Sequence, residues 1–417
     1  MPHAVPYRPL NGHARGFWLV LGLLGLAIAG GLGAAHLMHH EGHIITGMTN
    51  QVVWGLPHVF AVFLIVAASG ALNVASIGAV FERPLYKPLA RLSALLAMAL
   101  LIGGLSVLVL DLGRPDRLTV AMTHYNFKSI FAWNIFLYTG FLVLVGAYLW
   151  AMIDRAGARV YKPAAYGAFV WRLVLTTGTG AIFGFLVARQ AYDAAILAPL
   201  FIAMSLVYGK AIFVLFLMAV CRASGRPLGG VVLRRLQRLM GIVLGAMLYF
   251  VAVHHLTNLY ASEHHGIEAF LLRDGGPLTT LFWGGHVLLG GLVPLYLLLA
   301  PRLGGNRRAL SAAAVLLILG GLTQVYGLII GGQSAPLVLF PGFEVSSAFA
   351  DGVVASYVPS PWEVLLGLAG VAIGLVVAVV GCAALPILPA DLSDAAIDPD
   401  HVADTLDEQD GALAGTT

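Results

Sequence analysis

Apolar runs long enough to cross a bilayer alternate along this chain with short polar connections. A membrane helix needs roughly 20 predominantly apolar residues. Segments of that kind fall near residues 17–36, 52–80, 90–110, 130–153, 171–190, 196–221, 236–261, 278–300, 309–332 and 363–386. They predict an all-α polytopic membrane protein of about ten transmembrane helices, arranged as two four-helix bundles with peripheral first and last helices. The polar breaks divide the chain into an N-terminal segment with the first helix (1–45), a first bundle (46–190), a second bundle (191–332), an external loop (333–361), a last helix (362–389) and an acidic disordered cytoplasmic tail (390–417). Glycines four apart, at Gly180/Gly184, Gly241/Gly245 and Gly327/Gly331, predict close helix crossings.

Composition removes the competing classes. Of 417 residues 59% are hydrophobic and 10% charged, far below the charged fraction of soluble domains. Cys221 and Cys382 sit inside apolar runs and form neither a disulfide framework nor a metal-binding spacing. The chain is therefore expected to carry no metal and no iron–sulfur cluster, and its partner medium is lipid, not nucleic acid.

Charge sets orientation. Up to Pro389 the chain holds 23 basic against 12 acidic residues, and the other eight acids fall in the tail. Seventeen of the 23 Lys and Arg lie at the N-terminus or beside the connections after spans 2, 4, 6 and 8. The positive-inside rule then puts both termini in the cytoplasm of a multi-pass protein, and the expected location is a bacterial inner membrane. The first span reads as a signal anchor.

Ionisable groups inside a span cost at least ~2.5–3.5 kcal/mol each on insertion scales, so those retained there are functional candidates. At 100° per residue, Gln51, His58, Ser69 and Ser76 fall within about 20° of one line on span 2, with Asn73 about 60° away. Asn50 and Trp54 flank that stripe, and Pro57 is expected to loosen the helix beside His58. The connection after span 3, VLDLGRPDRLTVAMTHYNFKSIFAW, places Asp111 three residues before Arg114 as an expected ion pair, with His124, Tyr125 and Lys128 at the mouth of span 4 and Asn134 and Tyr138 along its face. Arg189 and Asp193 have the spacing of an i,i+4 pair. The start of span 2, the 111–128 connection and the end of span 5 are expected to lie at one outer level of spans 2–5. Two hydrogen-bonding groups for opposite oxygens, one able to take a proton, beside an apolar slot are what a quinone headgroup requires. In the second half, Lys210, His254, Asn258 and His286 are candidates for a proton path or a satisfied polar core, and LLRDGGPLTTLFW loosely echoes the segment at Asp111. No two histidines within a predicted span have the spacing of about 13 or 14 usual for bis-histidine haem, so no haem is expected. The cluster His36, His39, His40 and His43 reads as a surface metal site or, equally well, as flexible interfacial histidines.

Three stretches, MTNQVVWGLPHVFAVFLIVAASGALNVAS, LVLDLGRPDR and YNFKSIFAWNIFLYTG, resemble the NrfD/PsrC family of membrane subunits, with the likeness extending over roughly residues 46 to 333. ITGMTNQVVWGLPHVFA and DLGRPDR most resemble its DsrP branch, from the Dsr sulfur-metabolism complex. The resemblance implies exchange of electrons between a menaquinone or ubiquinone pool and a periplasmic iron–sulfur subunit, alongside other membrane and cytochrome subunits. It also implies a quinone site of Asn50, His58, Asp111, Arg114, Tyr125 and Lys128, for which Gln51, Trp54, His124, Asn134 and Arg189 are candidate supports. The rival reading is a proton-coupled secondary transporter built around Lys210 and the histidines.

Overall fold

The structure, a computed structural model, describes residues 6–336 and 352–397, so most of the expected external loop and the acidic tail beyond residue 397 lie outside the described residues. Among the described residues nine helices are long and apolar enough to cross a membrane. They are span 1 (Arg15–Glu41), span 2 (Leu56–Ala79), span 3 (Pro84–Leu110), span 4 (Ile130–Ile153), span 6 (Leu197–Ala223), span 7 (Gly230–Tyr260), span 8 (Pro277–Leu299), span 9 (Arg307–Ser334) and span 10 (Pro361–Ala384). Helix 5, Tyr161–Gly184, packs between span 4 and span 6 and completes the series. It starts earlier than its hydropathy predicts. Arg172, counted from sequence with the inner loop cations, is therefore buried in the middle of the helix.

Spans 2 and 6 form the buried centre. Span 2 packs on spans 3, 6, 9 and 10, and span 10 returns to lie against span 1. The reason is local sequence. At the crossing of spans 2 and 6, Gly70 and Gly209 bring backbone against backbone, and a Cβ added at Gly70 would lie 1.5 Å from the Ser205 carbonyl oxygen. Gly290 and Gly320 do the same for spans 8 and 9. Of the three expected motifs, Gly180/Gly184 does meet the 194–198 backbone, whereas Gly245 and Gly327 face open space. Four-residue spacing marks a permitted contact, but the partner must supply a small surface too.

Span 2 is not one regular helix. It breaks at Leu72, and the Ser93 side chain repairs the break by accepting from Ala75 N–H and donating to the Ala71 carbonyl. Pro57 lies in the first turn, where no carbonyl partner is lost, so it starts the helix and does not loosen it. The expected polar stripe divides accordingly. Gln51 precedes the helix, Ser69 bonds to Thr176 and the Arg172 carbonyl, and Ser76 bonds to the Leu72 carbonyl. Spans 8 and 9 widen into π-helix over Leu281–Leu292 and Gly327–Gly331, a local geometry common at functional sites.

On the face that bears the tail, residues 7–8 pair with 388–389 as a short antiparallel ribbon. The Asp394 carboxylate accepts from Gly230 and Val231 N–H at the start of span 7. The first residues of the acidic segment are thus docked, with a carboxylate placed where a helix N-terminus favours it.

Candidate functional site

A cavity of about 440 Å³ lies among spans 2–4, helix 5 and the 112–122 connection, within the range usual for small-molecule sites. Its walls are mainly apolar, with Leu105, Leu108, Ile135, Ile182, Phe183 and Ile329 prominent. Its polar groups are few: His58, Asp111, Asn134, Tyr138, Thr139 and the indole of Trp54. The partly exposed Val109, Leu112, Met122 and Phe131 form its rim.

Asp111 is the anchor. It ends span 3 with its carboxylate turned inward and only 2% of the side chain exposed. His58 Nδ1 lies 3.0 Å from Oδ2, close enough for an ion pair but not aligned as a hydrogen bond. On the other side, His43 Nε2 donates to the Asp111 carbonyl at 3.1 Å and lies 3.7 Å from Oδ1. Burial would raise the Asp111 carboxyl, but the two imidazoles outweigh it and hold the group below the usual carboxylate range. The carboxylate in turn lifts His43 above the ordinary imidazole range, against the effect of its own partial burial. The Trp54 indole stacks on His58 at 6.2 Å. Asn134 donates through Nδ2 to the Ile130 and Gly178 carbonyls, leaving Oδ1 buried without a partner beside the cavity. The site therefore offers an imidazole, a carboxylate and a free amide oxygen around an apolar slot.

The expected residues divide sharply. His58, Asp111, Asn134 and Trp54 line the cavity. Asn50, Arg114, His124 and Lys128 are exposed and outside its lining, on the same aqueous side of the protein. Arg114 pairs with Asp116 at 3.0 Å, not with Asp111, because the turn at Pro115 carries its guanidinium outward. Tyr125 packs against Phe136 with the rings tilted by 34°. Arg189 donates to the Gln333 and Gln51 carbonyls in place of the expected Asp193 pair. Those bonds stitch the entry to span 2 in place, together with Gln333, whose side chain binds Val53 and Trp54 N–H and the Trp54 carbonyl. Tyr357 and the fully buried Glu363 hold Leu56 and Gly47 from the other side.

A second, smaller cavity of about 70 Å³ is enclosed by spans 6–9. His254, His255, His286 and Gln324 line it. Both ring nitrogens of His286 and Nδ1 of His254 are buried without partners. Nearby Glu268, which sequence reasoning missed, accepts from Asn258 at 2.9 Å and meets His255 Nδ1 at 2.8 Å. The acid in the echo segment, Asp274, is instead exposed and paired with Arg273. Lys210 does not join this group. Its ammonium is fully buried, does not line the cavity and has no hydrogen-bond partner. Arg172, also missed, reaches Asn73 at 2.9 Å with its other donors unmet. Among the described residues no cluster of three or more His, Cys, Asp or Glu has the geometry to hold a metal ion.

Comparison with known proteins adds an independent finding. The polysulphide reductase, NrfD family profile matches residues 45–336. The Hdr-like menaquinol oxidoreductase integral membrane subunit of Archaeoglobus fulgidus is 28% identical over 93% of this chain and 97% of its own length. A putative dimethyl sulfoxide reductase membrane subunit of Halobacterium salinarum is 29% identical over 88% of this chain and 91% of its own. The menaquinone reductase integral membrane subunit of Nitratidesulfovibrio vulgaris is 24% identical over 75% and 81%.

Proposed function

From the premise that the chain belongs to the polysulphide reductase, NrfD family, we propose that it is the quinone-reactive membrane subunit of a multi-subunit electron-transfer complex. The observation that carries this reading is the cavity bounded by His58 and Asp111. Quinol enters between spans 3 and 4, its ring lies against Trp54 and Phe183, one hydroxyl faces His58 and the other faces the free Oδ1 of Asn134. A carboxylate beside an imidazole keeps the ring oriented and stabilises it when protonated, the arrangement a general base needs. Electrons pass to an iron–sulfur cluster on a partner that docks on the aqueous face carrying Asn50, Arg114, Tyr125 and Lys128. Quinone reduction uses the same site in reverse.

The finer reading follows the resemblance stated above. The partner is periplasmic, the termini are cytoplasmic, the membrane is the bacterial inner membrane and the complex is of the Dsr type. The relatives named for menaquinol and menaquinone chemistry support the quinone. For the second bundle we propose a proton path through His254 and His286, supported by their unpartnered nitrogens. Asn258 supports it by donating to Glu268, whereas Lys210 lies apart from it.

The test uses the assembled complex and menadiol. His58→Ala and Asp111→Asn are each expected to lower menadiol-dependent reduction of the partner cluster on the order of 100-fold or more while assembly persists, the usual scale for loss of a general base. Unchanged turnover in both variants overturns the assignment.

A further inference from the structure

Asp111 has two imidazoles, and the proposed chemistry uses only one of them. His58 faces the cavity. His43 lies on the opposite side of the same carboxylate, in the short helical turn His43–Ile45 that follows span 1. Exposure is lowest at the middle group. The side chain of His58 is 24% exposed, that of Asp111 2% and that of His43 35%. A buried acid thus joins a ring lining the cavity to a ring that water reaches.

We propose that His43 is the outlet of a proton relay from the quinol site, running His58, Asp111, His43 and then the aqueous face that carries the connections at 42–55 and 111–129. The inference rests on the quinol reading above. In each turnover the two electrons of the quinol go singly to the one-electron-accepting cluster of the partner, and its two protons leave in succession. A proton breaks from a quinol O–H and joins Nε2 of His58 as the Nδ1 proton passes to the Asp111 carboxylate. His43 already donates through Nε2 to the Asp111 carbonyl. It therefore takes the proton on Nδ1 when the ring turns towards Oδ1, and then gives it to water. The His58 ring returns to its starting tautomer before the second proton follows. No covalent intermediate is needed, and the products are the quinone, two reduced equivalents on the partner and two protons on that face.

The competing role for His43 is a simple cap. A cation at the C-terminus of span 3 stabilises the helix end whether or not it moves protons. The two roles separate on substitution. His43→Gln keeps an N–H donor near the Asp111 carbonyl but cannot be protonated. The groups that set the charge of His43 are Asp111 at the end of span 3, Glu363 at the start of span 10 and, through the shared carboxylate, His58. All three remain in that variant.

The experiment measures menadiol oxidation by the assembled complex between pH 5.5 and 8.5. In the unaltered protein the rate is expected to fall on the acid side, where His43 is already protonated and cannot accept. In His43→Gln the maximal rate is expected to drop about 10- to 100-fold. The menadiol KM should stay unchanged, the acid limb should lose the part that His43 contributes and keep that of His58, and added imidazole should restore turnover. A His43→Gln complex with wild-type rate and pH profile overturns the relay, and it leaves the quinol reading intact if His58→Ala is inactive in the same assay. An unaltered complex that fails to oxidise menadiol removes both. Should the glutamine variant not assemble, His43→Ala assembled in imidazole serves instead. Turnover that stops when imidazole is washed out and resumes on its return supports the relay, and turnover that survives the wash overturns it.

Discussion

The two cavities share one design principle and differ in scale. Each lies among four helices next to a buried carboxylate paired with histidine, Asp111 with His58 and His43 in one case and Glu268 with His255 in the other. The first encloses about 440 Å³ behind a partly exposed rim, and its carboxylate lines the space. The second encloses about 70 Å³, and its carboxylate stands behind His255 and Asn258. A water needs roughly 15 Å³ by this measure, so the smaller space suits about four or five waters but no ring-sized ligand. On our reading, the same pairing of acid and imidazole serves a substrate in one half and only protons in the other. Volume, and not the identity of the polar groups, separates them.

Filling each cavity is the strongest way to break that comparison. Ile135→Trp places an indole in the larger space and is expected to abolish menadiol binding, measured by fluorescence quenching, with a loss of turnover on the order of 100-fold. Thr323→Leu in the smaller cavity should leave menadiol binding unchanged. Equal loss in both would mean that the distinction by volume is wrong. A smaller effect is expected from His286→Leu. Quinol oxidation in detergent should stay within about twofold, while proton uptake by proteoliposomes containing the complex falls, since an imidazole able to relay protons becomes a group that cannot. The smallest expected effect concerns stability. Asp111 is held below and His43 above its ordinary value, so their contribution is present above the unfolded carboxylate value and below the unfolded imidazole value. It is lost as pH falls through the folded Asp111 value or rises through the folded His43 value. Thermal unfolding in detergent should therefore show a Tm difference between the unaltered protein and Asp111→Asn that is largest in mildly acidic buffer and shrinks towards pH 9.

Spans are legible because a bilayer imposes one length and one composition on every crossing. Helix 5 shows the limit of that signal. Lys162, Pro163 and Arg172 lower its hydropathy, so the apolar pattern places its start too late and makes a core arginine look like a loop cation. His58 and Asp111 stand out because ionisable groups within or at the end of apolar runs are rare. His43 does not, since its partner lies 68 residues away and its neighbours are exposed histidines. Glu268 is hidden for the same reason: on a polar connection nothing local distinguishes a buried carboxylate from a solvated one. Arg114, Tyr125 and Lys128 lie on the connection that follows Asp111, but one-dimensional proximity to Asp111 carries no information about which way a turn points its side chains.

The last turns of span 9 belong to both chambers. Ile329 faces the larger one while Gly327, Leu328 and Gly332 border the smaller, and Gln333 at the end grips the backbone of Trp54. Such a party wall cannot yield on one side alone, because close-packed side chains transmit displacement to their neighbours. A tenant pressing on Trp54 and Ile329 pushes, within a few residues, on the ceiling of the room next door.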